Sequence, residues 1–200
     1  MGVSIRSGDV LIAVDVQNDF VDGALAVPGA PGILPAVEDC IAQFEAHGLP
    51  VLATRDWHPA SHCSFRDRGG PWPAHCVQGT HGAAFAGSLQ KRREIRLVSK
   101  GTDPQRDAYS GFDATRLDAI LRDGGARRLF VCGLATDYCV RATVLDALRL
   151  GYVVFVITDA IAAVNVKEGD GPRALEEMRR AGACCVRRAD IGLAAELAHG

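Results

Sequence analysis

Apolar positions along this chain follow two alternating rhythms. Short aliphatic and β-branched runs at Val10–Val14, Pro50–Thr54, Ile95–Ser99, Arg128–Cys132, Tyr152–Thr158 and Ala183–Val186 predict six strands. A helical period between them predicts Gly32–His47, with Ile33, Val37, Ile41 and Phe44 on one face and Gly48 as stop, and Tyr138–Leu150, ended by Gly151. Weaker helical patterns lie at Ala114–Asp123, Pro172–Ala181 and Gly192–Ala198. Strands that alternate with amphipathic helices belong to a parallel sheet covered on both faces. The expected fold is therefore α/β, a three-layer αβα arrangement on a mostly parallel, doubly wound six-stranded sheet. No repeat, low-complexity tract or linker divides residues 1–200, which are read as a single domain. The segment Arg55–Lys91 has no clear element yet carries four of the six histidines and both tryptophans, as expected of a functional loop region.

Composition narrows the function classes. With 48% hydrophobic and 23% charged residues, the chain can bury a sizeable core, which excludes disordered, collagenous and coiled-coil classes. A net charge of -2 supplies no basic field for nucleic acid or a membrane surface, and points to a small-molecule substrate. The polar start Met1–Asp9 and an apolar run that stops at Asp15 suit neither a membrane span nor a secretory signal, so a cytoplasmic protein is expected. Seven cysteines, an odd number, fit reduced thiols in that compartment. Cys40, Cys132, Cys184 and Cys185 fall in helix or strand patterns and are read as packing.

The ligand site of an open parallel sheet lies beyond the carboxyl ends of its strands, so the residues there matter most. Asp15 ends the first strand, Asp56 and His58 follow the second, Lys100 the third, and Gly133-Leu-Ala-Thr-Asp-Tyr-Cys139 the fourth. Cys139 is expected at the start of a helix, where the dipole and free N–H groups favour a thiolate nucleophile. The N–H groups of Ala135 and Cys139 are candidates for an oxyanion hole, a device worth about 3 kcal/mol per donor. Asp15 can move protons for the nucleophile and the leaving group, with Lys100 balancing charge. In extended chain Asp56 and His58 project to one side and can share a divalent ion, Zn²⁺, Fe²⁺ or Mn²⁺. His75 is the natural third ligand and His62 a candidate fourth. Asp19 is read as a structural hydrogen-bonder of the first loop, and Thr136 and Asp137 as caps of the helix carrying Cys139.

These residues, with Asp15-Val-Gln-Asn-Asp19-Phe20, Asp56-Trp-His58, Trp72-Pro-Ala-His75-Cys-Val, Lys100-Gly101, Tyr109-Ser-Gly-Phe112 and Gly133-Leu-Ala-Thr-Asp-Tyr-Cys139-Val, resemble the nicotinamidase/pyrazinamidase group of isochorismatase-like hydrolases over nearly the whole length. The resemblance implies a triad of Asp15, Lys100 and Cys139 and a metal held by Asp56, His58 and His75. It also implies a cis peptide between Leu134 and Ala135, and contact with substrate by Phe20, Trp72, Tyr109 and Leu134. The implied reaction is hydrolysis of nicotinamide to nicotinate and ammonia, a step of NAD salvage, through a cysteine thioester. The ion binds the pyridine nitrogen and no nucleotide cofactor takes part. Pyrazinamide is expected to be cleaved too, and a homo-oligomer is an open possibility. Two other readings stay open: a ureido- or carbamoyl-amide hydrolase of the same fold, and a hydrolase whose metal-bound water is the nucleophile.

Overall fold

The computed structural model describes residues 2–92 and 94–193. In chain order the elements are β1 (Val3–Ile5), β2 (Asp9–Val14), α1 (Asn18–Val21), α2 (Ala30–Ala46), β3 (Val51–Asp56), β4 (Arg96–Lys100), α3 (Leu117–Asp123), β5 (Arg128–Leu134), α4 (Arg141–Arg149), β6 (Val153–Ala162), α5 (Asp170–Arg180), β7 (Cys184–Val186) and β8 (Ile191–Leu193). Six strands form one sheet in the order β4-β3-β2-β5-β6-β7, every neighbouring pair parallel. β1 and β8 pair in parallel as a separate two-stranded sheet.

Parallel strands bury both faces, and the central ones are apolar to match. Every residue of β2 is buried. On one face Leu11, Ala13, Phe130 and Cys132 meet Ile33, Val37, Ile41 and Phe44 of α2. On the other, Val10, Ile12, Leu129 and Val131 meet Leu117 and Leu121 of α3, Val144 and Ala147 of α4 and Met178 of α5. The result is the expected three-layer αβα arrangement on a doubly wound sheet.

All six expected strands form, but their ends differ. β3 and β4 run on to Asp56 and Lys100, which pair directly with each other in register. β6 runs on to Ala162, beyond the expected end at Thr158, because its register slips: Val131 pairs with Val156 but Gly133 with Ile161. The helix expected from Tyr138 is two elements, a π turn at Thr136–Val140 followed by α4. The expected helix Gly192–Ala198 does not begin as one, since Gly192 pairs with Ser4 in β8; residues 194–198 of that expectation lie outside the described residues.

The chain moves outward from β2 through β3 to β4, then returns to the other side of β2 and continues through β5 to β7. The strand order thus reverses between β2 and β5, and the crevice beyond their carboxyl ends is where such sheets bind ligands. Asp15 directly follows β2, and Leu134-Ala135 leads from β5 into the π turn that contains Cys139.

Candidate active site

Lys100 is the electrostatic centre of the crevice. Its side chain is fully buried, and the ammonium lies 2.8 Å from Asp15 Oδ2 and 2.5 Å from Asp56 Oδ1. It also donates to Ala108 O at 3.2 Å and to Cys139 Sγ at 3.4 Å. Burial by itself lowers the Lys100 pKa, but the carboxylates of Asp15 and Asp56 and the thiol of Cys139 outweigh it and hold the group well above its ordinary value. Lys100 is therefore a fixed buried cation, a state that needs the partners it has.

Asp15 is fully buried. Thr54 Oγ1 donates to its Oδ1 at 2.7 Å, whereas Oδ2 has the Lys100 ion-pair contact but no in-line hydrogen-bond donor. Burial pushes its carboxyl above the usual range, with Lys100 pulling against it and Asp56 adding to it. Cys139 is 5% exposed, and burial drives its thiol well above the ordinary cysteine value despite the neighbouring Lys100. Burial thus opposes the thiolate that a helix dipole favours. Cys139 lies within a buried π turn rather than at the open start of α4, and desolvation dominates. Sγ, a carboxylate oxygen of Asp15 and one of Asp56 lie within 4.8 Å of one another, so a base is at hand for the thiol proton.

The peptide between Leu134 and Ala135 is cis. In the π turn that follows, Ala135 O accepts from the N–H groups of Tyr138 and Val140, both at 3.1 Å. That pair of bonds uses neither the Ala135 nor the Cys139 N–H. The expected capping by Thr136 and Asp137 is not made. Asp137 instead accepts from Val164 N at 2.9 Å and Asn165 N at 2.8 Å, fastening the loop after β6 beside the pocket.

Asp56, His58 and His75 are buried with one ligand atom each within 4.8 Å of the others. Both imidazoles are prepared for a cation. His58 Nδ1 donates to Gly101 O at 2.9 Å, and His75 Nδ1 donates to Pro73 O at 2.8 Å. With Nδ1 so engaged, Nε2 is the nitrogen of each ring left to ligate a metal, as a neutral imidazole does. Gly101 is required where it stands, because its φ is +61° and a Cβ there would lie 2.4 Å from the His58 ring. This donor set of one carboxylate and two imidazoles fits Zn²⁺, Fe²⁺ or Mn²⁺. His62 lies beside His58, ring centroids 4.0 Å apart, but both its nitrogens are engaged, Nδ1 with Ser64 Oγ at 2.8 Å and Nε2 with Arg106 O at 3.2 Å. It does not join the three.

Next to Cys139 and this cluster is a narrow pocket. Phe20, Trp72 and Tyr109 line it. Trp72 Nε1 donates to Tyr109 Oη at 3.0 Å, fixing one wall. Leu134 does not line it. Strand alternation places Leu134 with Phe130 and Cys132 in the core under α2, fully buried. Tyr138 takes part instead, edge-on to Trp72 at 5.0 Å, and Leu25, Val27 and Val164 add apolar surface. Nothing in their spacing marked these four residues, although Tyr138 stands directly before Cys139.

Residues 9–190 match the Isochorismatase domain family, and the chain belongs to that family. Within it, the chain is 41% identical over 202 residues to the nicotinamidase of Escherichia coli strain K12, covering 90% of this chain and 95% of the relative. Its structure resembles that of a pyrazinamidase of Pyrococcus horikoshii in complex with zinc, with a TM-score of 0.86 at 49% identity over 90% of this chain and 99% of that one. It also resembles a protein of L. infantum in complex with nicotinate, with a TM-score of 0.88 at 36% identity over 97% of this chain and 100% of that one. No helix among the described residues is long and apolar enough to cross a membrane.

Proposed function

We propose that this protein is a nicotinamidase that hydrolyses nicotinamide, and pyrazinamide as its close analogue, through a thioester on Cys139. The observation that carries this reading is the buried meeting of Cys139, Asp15 and Lys100 beside three metal-type donors and a pocket with aromatic walls. Asp56, His58 and His75 would hold a divalent ion, which when bound supplies a Lewis-acid contact for the pyridine nitrogen.

The remaining chemistry belongs to the side chains. Cys139 Sγ forms a bond to the carboxamide carbon while its proton passes to Asp15, a carboxylate oxygen of which lies within 4.8 Å of the sulfur. The carbonyl oxygen gains negative charge, which the N–H groups of Ala135 and Cys139 would stabilise. The C–N bond then breaks, Asp15 returns the proton to the nitrogen, and ammonia leaves. Water adds to the thioester carbon as Asp15 takes one of its protons. The C–S bond breaks, the proton goes back to Cys139, and nicotinate departs. Lys100 stays charged throughout and offsets the negative charge that moves between Asp15 and Sγ. The pocket walls exclude bulk water and hold the ring flat.

The test is direct. Purified protein loaded with Zn²⁺, Fe²⁺ or Mn²⁺ and mixed with nicotinamide is expected to release ammonia and nicotinate in equal amounts, with a similar outcome for pyrazinamide. Absence of turnover with all three ions would refute the assignment.

A further inference from the structure

Asp19 makes contacts that the chemistry above does not use. Its carboxylate bridges two parts of the chain: Oδ1 accepts from Ala24 N at 3.1 Å within its own loop, and Oδ2 accepts from Cys76 N at 2.7 Å, 57 positions away. The first bond is enough to close the loop that follows α1. The second reaches the peptide that directly follows His75. That same residue, Cys76, accepts a hydrogen bond on its carbonyl from His58 N at 3.0 Å and is held at a φ of +46°. One residue therefore ties the backbones of two candidate ligands together, and Asp19 holds that residue. A third tie fixes the backbone of Asp19. Asp19 N donates to Gly82 O at 3.0 Å, and a Cβ at Gly82 would lie 2.1 Å from Asp19 Oδ2, so only glycine lets that backbone close over the acid.

Building on the metal reading above, we propose that Asp19 is a positioning residue that sets His58 and His75 in register for the metal through the Cys76 peptide. Both its oxygens act as acceptors from backbone N–H groups, a task for which a carboxylate is suited and an amide is not. An asparagine would turn its NH₂ toward either Ala24 N–H or Cys76 N–H, donor against donor. Outer-shell contacts that hold a metal ligand in place commonly matter 10–100-fold in metal affinity.

The experiment titrates Co²⁺ alone into the metal-free full-length chain and into Asp19→Asn and Asp19→Ala, reading the ligand-field absorption and competition with a chelator. Both variants are expected to bind Co²⁺ roughly 10–100-fold more weakly, with the larger loss in Asp19→Ala. The rate of Cys139 alkylation in the metal-free proteins is expected to stay within about twofold of the parent, since Asp19 touches no member of the triad. At limiting Co²⁺ the variants should show a raised KM for nicotinamide that excess Co²⁺ restores. If Asp19→Ala does not fold, Asp19→Asn carries the test. A loss of Co²⁺ affinity smaller than about fivefold, or a loss matched by an equal change in Cys139 alkylation, would overturn the assignment. A parent chain with no Co²⁺ spectrum would overturn the metal reading and this inference with it. A parent that binds Co²⁺ but leaves nicotinamide intact would count against the proposed substrate alone.

Discussion

Cys139→Ala is expected to lower kcat for nicotinamide by at least about 1,000-fold while leaving the far-ultraviolet spectrum and Co²⁺ affinity of the protein unchanged. The reason is that the sulfur carries the acyl group and is the thiol that lies beside both Asp15 and Lys100. Ala in place of Asp15 should cost a similar factor, because burial pushes the thiol pKa up and the reaction needs a base beside it. Effects within such a unit are strongly non-additive, so Cys139→Ala combined with Asp15→Ala should fall little below either alone. Steady-state rates over a wide range of nicotinamide concentration check this. A Cys139→Ala protein with more than about a tenth of the parent turnover would exclude the thioester and leave a water nucleophile on the metal as the alternative.

Discrimination between nicotinamide and benzamide is the second large effect. Benzamide has the same carboxamide and nearly the same shape but no ring nitrogen. If Asp56, His58 and His75 hold an ion that contacts this nitrogen, the loaded enzyme should prefer nicotinamide by about 100-fold or more in kcat/KM, of the order of a lost charge-assisted contact. Removing the ion, or His75→Ala, should raise KM for nicotinamide far more than it lowers kcat and should shrink the preference. A metal that instead generated the attacking hydroxide would, on removal, cut kcat for both amides alike. Matched kinetics of the two substrates with and without metal separate these outcomes.

The parts of the site visible in the sequence are those that local pattern marks. Asp15, Asp56, Lys100 and Cys139 stand where an apolar strand run stops, and a parallel sheet brings such positions to one edge. Asp56 and Lys100 come still closer than their spacing suggested, since both are the last residues of paired strands. What failed to show depends on partners far along the chain. Asp137 has the residue type and position of a cap, but bonds to Val164 and Asn165 in place of its own helix. Gln17 lies inside the first motif, yet its role emerges only in three dimensions: its side-chain amide clamps the Asp56 peptide, donating to Asp56 O at 2.8 Å and accepting from Asp56 N at 2.8 Å. Leu134, expected to contact substrate, ends β5 with its side chain turned by strand alternation into the core under α2. β1 and β8, three residues each, are too short to produce a periodic signal and exist by pairing with each other.

The covalent intermediate offers the sharpest measurement. Parent protein mixed with excess nicotinamide and quenched in acid within milliseconds should gain the mass of one nicotinoyl group, and proteolysis should place that mass on the peptide containing Cys139. Added hydroxylamine should drain the same species into nicotinoyl hydroxamate. Nicotinate formed under single-turnover conditions with no adduct at any time, or with the adduct on another residue, would contradict the account.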